Sequence, residues 1–411
     1  MPKDGLVVGL DVGSTKITII VGEASENNGI YVLGSSVVQT AGIKKGMIVN
    51  IEETVSAIET AVTEAEHMAD VDIDTVYVSI GGYHISGQNS RGIIAVPPNQ
   101  REITAEEKQK VQEAARAIAL PQNREIIHLI PEEYTVDDQP GIIDPIGMSG
   151  VRLEVDTHII TGVTTSIRNL QKSIKGTGLK IKDFLFEGLA SGEAVVTADE
   201  KELGIVLVDI GGGTTDVVIY AGGYVKHTNV LAIGSAHITS DISIGLRTSY
   251  QEAEKIKLHN GLVWAEGMNL EEKITVQNAG NDGSRQIELK QLFDIIEPRM
   301  EEIFTMVKQE IKNSGLASAV PGGVILTGGG VLLNGTQKFA EKILGMPVRI
   351  GKPNNIDGLI EKINGPAFAT CFGLLSYGLK NETQPRHSFI RRTNIVEGTV
   401  NWFKSFFKDI F

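Results

Sequence analysis

Residues 5–23, GLVVGLDVGSTKITIIVGE, decide the fold, because residues 204–223, GIVLVDIGGGTTDVVIYAGG, repeat them. In each copy a β-branched apolar run ends at an Asp, passes through a Gly/Ser/Thr turn and resumes as a second β-branched run. That pattern predicts a β-hairpin. Asp11-Val12-Gly13-Ser14-Thr15 lies over Asp209-Ile210-Gly211-Gly212-Gly213, with Thr214 and Thr215 just beyond. One such hairpin is a weak signal. Two copies, each opening a half of the chain, predict two similar lobes built around equivalent hairpins.

Working outward, apolar spacing predicts a helix over 52–70 and a strand over 75–80. From about 82 to 162 the texture changes to short strands, one helix over 105–119 and Pro-containing turns. This predicts a small α+β unit inserted in the first lobe. Helices over 166–175 and 191–196 surround a strand over 181–187. The second half predicts a helix over 249–259, then strands over 274–289 that turn at Asn281-Asp282-Gly283. A long helix follows over 292–314, then a strand and triple glycine over 324–330 with a helix through 344. A short strand over 347–350 and a Gly/Ala-rich helix over 367–377 complete the second lobe. Residues 380–394, KNETQPRHSFIRRTN, read as a polar linker.

At 411 residues the chain exceeds one compact core, and a 41% apolar, 22% charged composition is that of a globular protein. A net charge of −13 argues against a nucleic-acid partner, since no broad cationic field is available to displace counterions from phosphates. The single Cys371 excludes an internal disulfide and a cysteine-cluster metal site, and fits a reducing, cytoplasmic compartment. The opening MPKDGLVVGL lacks the h-region of a signal peptide. No window approaches the length of apolar chain that a spanning helix needs, so membrane contact is expected to be peripheral.

A polyphosphate needs many N–H donors at close range, and backbone without Cβ atoms supplies them. Gly13, Ser14, Thr15 and Lys16 from one lobe, and Gly211, Gly212, Gly213, Thr214 and Thr215 from the other, form two such turns. Each follows an acid, Asp11 or Asp209, placed to hold a hydrated Mg²⁺ through its waters. Tight hairpins with structural Asp caps are the alternative, but they leave the duplication unexplained. Gly328, Gly329 and Gly330 follow a buried strand and open a path for a flat adenine, although a strand–helix turn uses glycine for geometry as well. Glu254 and Lys257, at i and i+3 on one helix face, can reach one ribose or pair with each other at the surface.

The last twelve residues, VNWFKSFFKDIF, place Val400, Phe403, Phe406, Phe407, Ile410 and Phe411 at helical spacing with Trp402 beside them. Of the chain's 12 Phe, 8 Tyr and 2 Trp, five fall between Trp402 and Phe411. An exposed aromatic face of that density needs a partner surface. A lipid interface suits it, with Lys404 and Lys408 flanking and Arg386, Arg391 and Arg392 upstream. The alternative is a terminal helix docked on its own core.

The order DVGSTK, LFEGLASGEAV, VDIGGGTTD, ILTGGG, GPAFATCFGLLSYG resembles the actin, heat-shock chaperone and sugar kinase superfamily. The segments match its first phosphate loop, first connector, second phosphate loop, adenosine loop and second connector. The resemblance implies an α/β, two-lobed, actin-like (duplicated ribonuclease H-like) fold that binds ATP and Mg²⁺. By it Glu187, with Asp11 and Asp209, belongs to the catalytic set, Glu187 polarising the attacking water. Glu254 and Lys257 fall where the superfamily's adenosine-contacting pair lies.

Within the superfamily the chain resembles the bacterial FtsA family along essentially its whole length. The marks are SIGGYHISGQNSRG, IIHLIPEEYTVDDQPGIIDPIGMSGVRLE and IIEPRMEEI. That implies a first-lobe core of residues 1–82 with 163–196, and an inserted subdomain of 83–162. It implies a second-lobe core of 197–228 with 315–379, and a companion subdomain of 229–314. A linker over 380–394 and an amphipathic membrane-targeting helix over 395–411 follow. No counterpart is found for the lysine that actin's own missing subdomain contributes, which implies at most slow ATP turnover. The expected partners are the FtsZ C-terminal tail through Arg299, Met300 and Ile303, membrane lipid through the terminal helix, further copies in filaments, and other division proteins. The expected location is the cytoplasmic face of the cell membrane at the septum. A small-molecule kinase would have no use for the aromatic tail. A peptide-binding chaperone would need a β-rich domain where only about thirty residues follow Tyr377.

Overall fold

The computed structural model describes residues 5–26, 29–97, 102–280, 283–361 and 363–383. The first lobe opens with β1 (Val7–Val12), β2 (Lys16–Ala24) and β3 (Ile30–Gln39). A small hairpin of β4 (Ile43–Lys44) and β5 (Met47–Ile48) follows, then α1 (Ile51–Ala69) and β6 (Thr75–Ile80). The inserted unit holds β7 (Ser86–Ala95), α2 (Ala105–Arg116), β8 (Arg124–Val136), β9 (Gln139–Ile142) and β10 (Arg152–Val163). The lobe resumes with α3 (Thr164–Gly176), β11 (Lys180–Phe186) and α4 (Glu187–Val195).

The second lobe begins with α5 (Ala198–Leu203), β12 (Ile205–Ile210), β13 (Thr215–Ala221) and β14 (Tyr224–Leu231). Next come α6 (Ser235–Gly245), α7 (Tyr250–Asn260), β15 (Lys273–Gln277), β16 (Ser284–Glu288) and α8 (Leu289–Asn313). It closes with β17 (Val324–Thr327), α9 (Thr336–Leu344) and β18 (Val348–Ile350). Strand β19 (Ile356–Gly358) then returns to the first lobe's sheet beside β3, and α10 (Ala369–Thr383) packs Phe372, Leu374 and Leu375 into the first lobe's core.

The two main sheets run β11-β6-β1-β2-β3-β19 and β14-β13-β12-β17-β18. In both, the Asp-bearing strand is antiparallel to its hairpin partner and parallel to the strand on its other side. The duplication extends to register: Asp11 faces Thr18, and Asp209 faces Asp216. Both central strands are covered on two faces, which is why they read as continuous apolar runs rather than alternating ones. Leu10, Ile17 and Ile19 belong to the first lobe's core, and Val206, Val208 and Ile210 to the second's.

The inserted sheet, β7-β10-β8-β9, carries α2 on one face over its own small core of Val111, Tyr134, Leu153 and Val155. It also touches the second lobe at β14. There Lys226 Nζ pairs with Glu132 at 2.5 Å, and His158 Nε2 lies 2.9 Å from Thr228 Oγ1. Helices α4 and α10 cross at Gly373, where a Cβ would overlap the Ala190 carbonyl oxygen.

Two boundaries differ from the sequence reading. The strand expected over 181–187 ends at Phe186, so Glu187 opens a helix. Residues 380–383, expected in the linker, continue α10, because Lys380 pairs with Glu193 and Glu382 with Lys182. The terminal segment with Trp402, Phe403, Phe406, Phe407, Ile410 and Phe411 lies outside the described residues, as do Asn281 and Asp282.

Candidate functional site: an anion cradle over a buried acidic cluster

The two glycine turns meet. Cβ atoms on Gly212 and Gly213 would lie 2.6 Å from Thr15 Cγ2 and 2.5 Å from Ser14 Oγ, so only glycine permits this approach. Each turn is braced the same way: Gly13 N–H donates to the Lys16 carbonyl at 3.1 Å, and Gly211 N–H to the Thr214 carbonyl at 3.0 Å. Helix α6 braces the second turn further. Its Ser235 and Ala236 N–H groups donate to the Gly211 and Gly212 carbonyls at 2.9 and 2.8 Å. With carbonyls so satisfied, the N–H groups of Ser14, Thr15, Gly212, Gly213 and Thr214 have no acceptor among the described residues. A nest of unpartnered N–H groups from two turns is an anion cradle.

Beneath the cradle stand Asp11, Glu187, Asp209 and Asp216. Ser79 Oγ donates to Asp11 Oδ1 at 2.8 Å, and the Ser191 and Thr370 hydroxyls donate to Asp209 Oδ2. Glu187 fits because Gly81 has no Cβ, which would overlap its carboxylate. Burial raises all these carboxyl pKa values above the usual range, and mutual repulsion adds to the effect for Glu187, Asp209 and Asp216. Asp209 is pushed up to about 6. Asp216 Oδ1 is buried with no hydrogen-bond partner among the described residues.

Lys16 does not relieve this repulsion fully. Its Nζ donates to the Ala367 carbonyl at 2.9 Å and stands 3.8 Å from the Phe368 ring centroid, and burial lowers its pKa. The cluster is therefore short of positive charge, which fits a divalent cation. Among the described residues no group of three or more His, Cys, Asp or Glu is spaced to ligate a metal directly.

The structure thus brings together the two turns, Asp11, Asp209, Glu187 and Lys16. Gly328 and Gly330 join them for a reason the sequence reading gave only as an alternative: their Cβ atoms would strike Asp209 and Ile210. Only Gly329 is free of close backbone neighbours. Glu254 and Lys257 pair with each other at 2.7 Å, and Lys257 Nζ also reaches Thr239 Oγ1 at 2.8 Å. Lys257 is buried against α6, so the pair locks α7 to the helix that braces the second turn.

The Arg299, Met300 and Ile303 surface is corrected. Met300 and Ile303 are fully buried in the second-lobe core with Phe304 and Val307, and so offer no docking face. Arg299 is held by Asp241, at 2.6 Å, and by Glu302. Helical spacing identifies such a stripe but not whether it faces in or out. Sequence reasoning missed Ser79, Gly81, Ser191, Asp216 and Thr370 as site residues. Asp216 had no counterpart in the aligned hairpin, where Thr18 stands.

Comparison with known proteins bears on the family and on the fold. The family described as "Cell division protein FtsA" matches residues 206–373, and "SHS2 domain inserted in FTSA" matches residues 82–161. The cell division protein FtsA of Neisseria meningitidis is 39% identical over 98% of this chain and 98% of its own length. That of Pseudomonas aeruginosa is 39% identical over 92% of this chain and 90% of its own length. That of Escherichia coli K12 is 34% identical over 97% and 96%. Among solved structures, a PilM–PilN type IV pilus biogenesis complex aligns over 92% of this chain and 99% of its own with TM-score 0.65 at 17% identity. MreB5 of Spiroplasma citri bound to ADP aligns over 93% and 98% with TM-score 0.57 at 13% identity. These structural likenesses bear on the fold, which is actin-like. On the sequence identity to its relatives, over nearly its whole length, the chain belongs to the FtsA family of cell-division proteins.

Proposed function

We propose that this chain binds Mg-ATP between its lobes and serves in division as a membrane-attached, filament-forming adaptor that links FtsZ to the cytoplasmic membrane at the septum. The observation that carries the nucleotide reading is the set of unpartnered N–H groups on Ser14, Thr15, Gly212, Gly213 and Thr214 above the acidic cluster. Donors in that number demand an anion, and acids beneath them demand a cation. Mg-ATP supplies both.

In this reading Asp11 and Asp209, oriented by Ser79, Ser191 and Thr370, would hold a hydrated Mg²⁺, whose charge would offset that of the phosphates. Glu187 orients the attacking water and accepts its proton. Because the turns touch, the lobes part to admit the phosphates. Gly329, next to Ala367, lies where the base would enter, while Glu254 and Lys257 set the position of α7. The residues 400–411 attach the chain to lipid, and the FtsZ tail and other division proteins are its partners. With Met300 and Ile303 buried, the FtsZ contact falls on other residues.

The test is calorimetric titration of the full chain with Mg-ATP, followed by sedimentation with and without anionic vesicles and nucleotide. Saturable binding and nucleotide-dependent pelleting with vesicles are expected. Failure to bind Mg-ATP would remove the nucleotide reading, and failure to pellet would remove the adaptor reading.

A further inference from the structure

We propose that Lys45 is the cation that meets the terminal phosphate of a bound nucleoside triphosphate, an inference that rests on the nucleotide reading above. The hairpin of β4 and β5 turns at Lys45-Gly46, with φ of +51° and +72°. Its tip is wedged at the junction of the two glycine turns. Gly46 N–H donates to Ser14 Oγ at 2.8 Å, and a Cβ on Gly213 would lie 2.9 Å from the Lys45 nitrogen. The Lys45 carbonyl accepts from Tyr83 N–H at 3.3 Å, and Gly46 packs against Gly82, beside the Gly81 that makes room for Glu187. Residue 45 therefore touches both lobes at the mouth of the anion cradle.

A two-residue turn with left-handed φ at both central positions favours Asn, Asp or Gly at the first of them. A lysine backbone is strained there, and such strain is characteristically kept where a side chain is needed. Electrostatics identifies the need. Lys16 is already committed to Ala367 and Phe368, and a triphosphate adds negative charge beside Asp11, Glu187, Asp209 and Asp216. Lys45 is exposed and its ammonium has no hydrogen bond or ion pair among the described residues. A flexible stem ending in a compact charge is suited to a phosphate that arrives and leaves.

The experiment titrates the full chain and its Lys45→Ala, Lys45→Gly, Lys45→Arg and Lys44→Ala variants with Mg-ATP and with Mg-ADP. Lys45→Ala is expected to bind Mg-ATP about tenfold more weakly while Mg-ADP changes by less than about twofold, the loss of one charge-assisted contact to the last phosphate. Lys45→Arg retains the preference, and Lys44→Ala leaves both affinities alone. Lys45→Gly relieves the backbone and so raises the melting temperature of the nucleotide-free chain, yet loses ATP affinity as Ala does. A purely structural role predicts the opposite for Gly, and unimpaired ATP binding by that variant overturns the proposal. So does an equal loss for both nucleotides. If the unaltered chain binds neither nucleotide, the underlying reading fails. If it binds both and Lys45→Ala keeps the parental ATP-to-ADP ratio, only this inference fails.

Discussion

Asp209 accepts from two hydroxyls contributed by different connectors, Ser191 on α4 and Thr370 on α10, and packs against Gly328. Replacing it with Ala removes an Mg-directed carboxylate, and Mg-ATP affinity should fall at least tenfold, about 1.4 kcal/mol. Equal calorimetric affinities would refute the assignment. Glu187→Ala should abolish phosphate release measured over hours while leaving ATP affinity within about threefold. The acids also set a pH signature for the nucleotide-free chain. Burial raises Asp209 to about 6 from an ordinary 3.8, so the unfolded chain releases this proton first. Stability must then decline as pH rises from about 4 through about 6. Asp209→Asn removes that decline, so at pH 7 the variant should be the more stable by up to about 3 kcal/mol, with little difference at pH 4. A variant equally stable relative to the parent at both pH values would show that Asp209 is not strained by its neighbours.

At the scale of elements, α4 and α10 cross at Gly373, where backbone meets backbone. Two effects compete in Gly373→Ala. Helix propensity favours Ala by about 1 kcal/mol, whereas forcing a methyl into a packed crossing costs about 1–3 kcal/mol. The blocking atom is the Ala190 carbonyl oxygen rather than a movable side chain, so packing wins. The denaturant midpoint should fall with the slope unchanged, and a rise would mean the helices slide freely. The proposed lipid attachment through residues 400–411 is tested at the same scale. Burying the aromatic face of residues 400–411 in a lipid interface contributes about 25 cal/mol per Å² of apolar surface. Ordering a helix there would offset part of this, so on the proposed reading single tails bind reversibly. Trp402→Glu or Phe407→Glu should release the chain from vesicles in flotation assays without changing ATP affinity. A Phe407→Glu protein that unfolds, or still floats, would make the tail part of a core instead.

The whole molecule is two lobes joined by α4 and α10, with the inserted unit reaching from the first lobe to β14 of the second. That unit presents Ile143, Ile146 and Val151 to solvent, with Ile143 71% exposed, among polar neighbours. Head-to-tail contacts that do not close into rings build filaments, and exposed apolar side chains on the inserted unit suit one side of such a contact. Electron microscopy of the chain with ATP on a lipid monolayer should reveal protofilaments. The double variant Ile143→Asp/Val151→Asp should lose them while still binding ATP. Filaments of unchanged spacing from that variant would move the contact elsewhere. Because many tails on one filament act together, the same variant should also leave vesicles at lower salt than the parent does.

The sequence by itself determined the duplicated hairpins, the two sheets they seed, the inserted unit, and the turns with Asp11 and Asp209. Those features are local: residue periodicity sets strand or helix, and glycine in a turn sets where backbone can approach an anion. The duplication by itself gave two similar lobes; the actin-like class was legible only through the resemblance of the ordered segments DVGSTK, LFEGLASGEAV, VDIGGGTTD, ILTGGG and GPAFATCFGLLSYG to that superfamily. The tertiary structure alone decided which groups share the site. Ser79, Ser191 and Thr370 converge on Asp11 and Asp209 from segments far apart in the chain, and Asp216 enters the cluster through hairpin register. It also turned Met300 and Ile303 inward, and set the Lys45 turn against both lobes. Burial and ionisation depend on neighbours brought in by packing, and periodicity along one helix or strand carries no record of them.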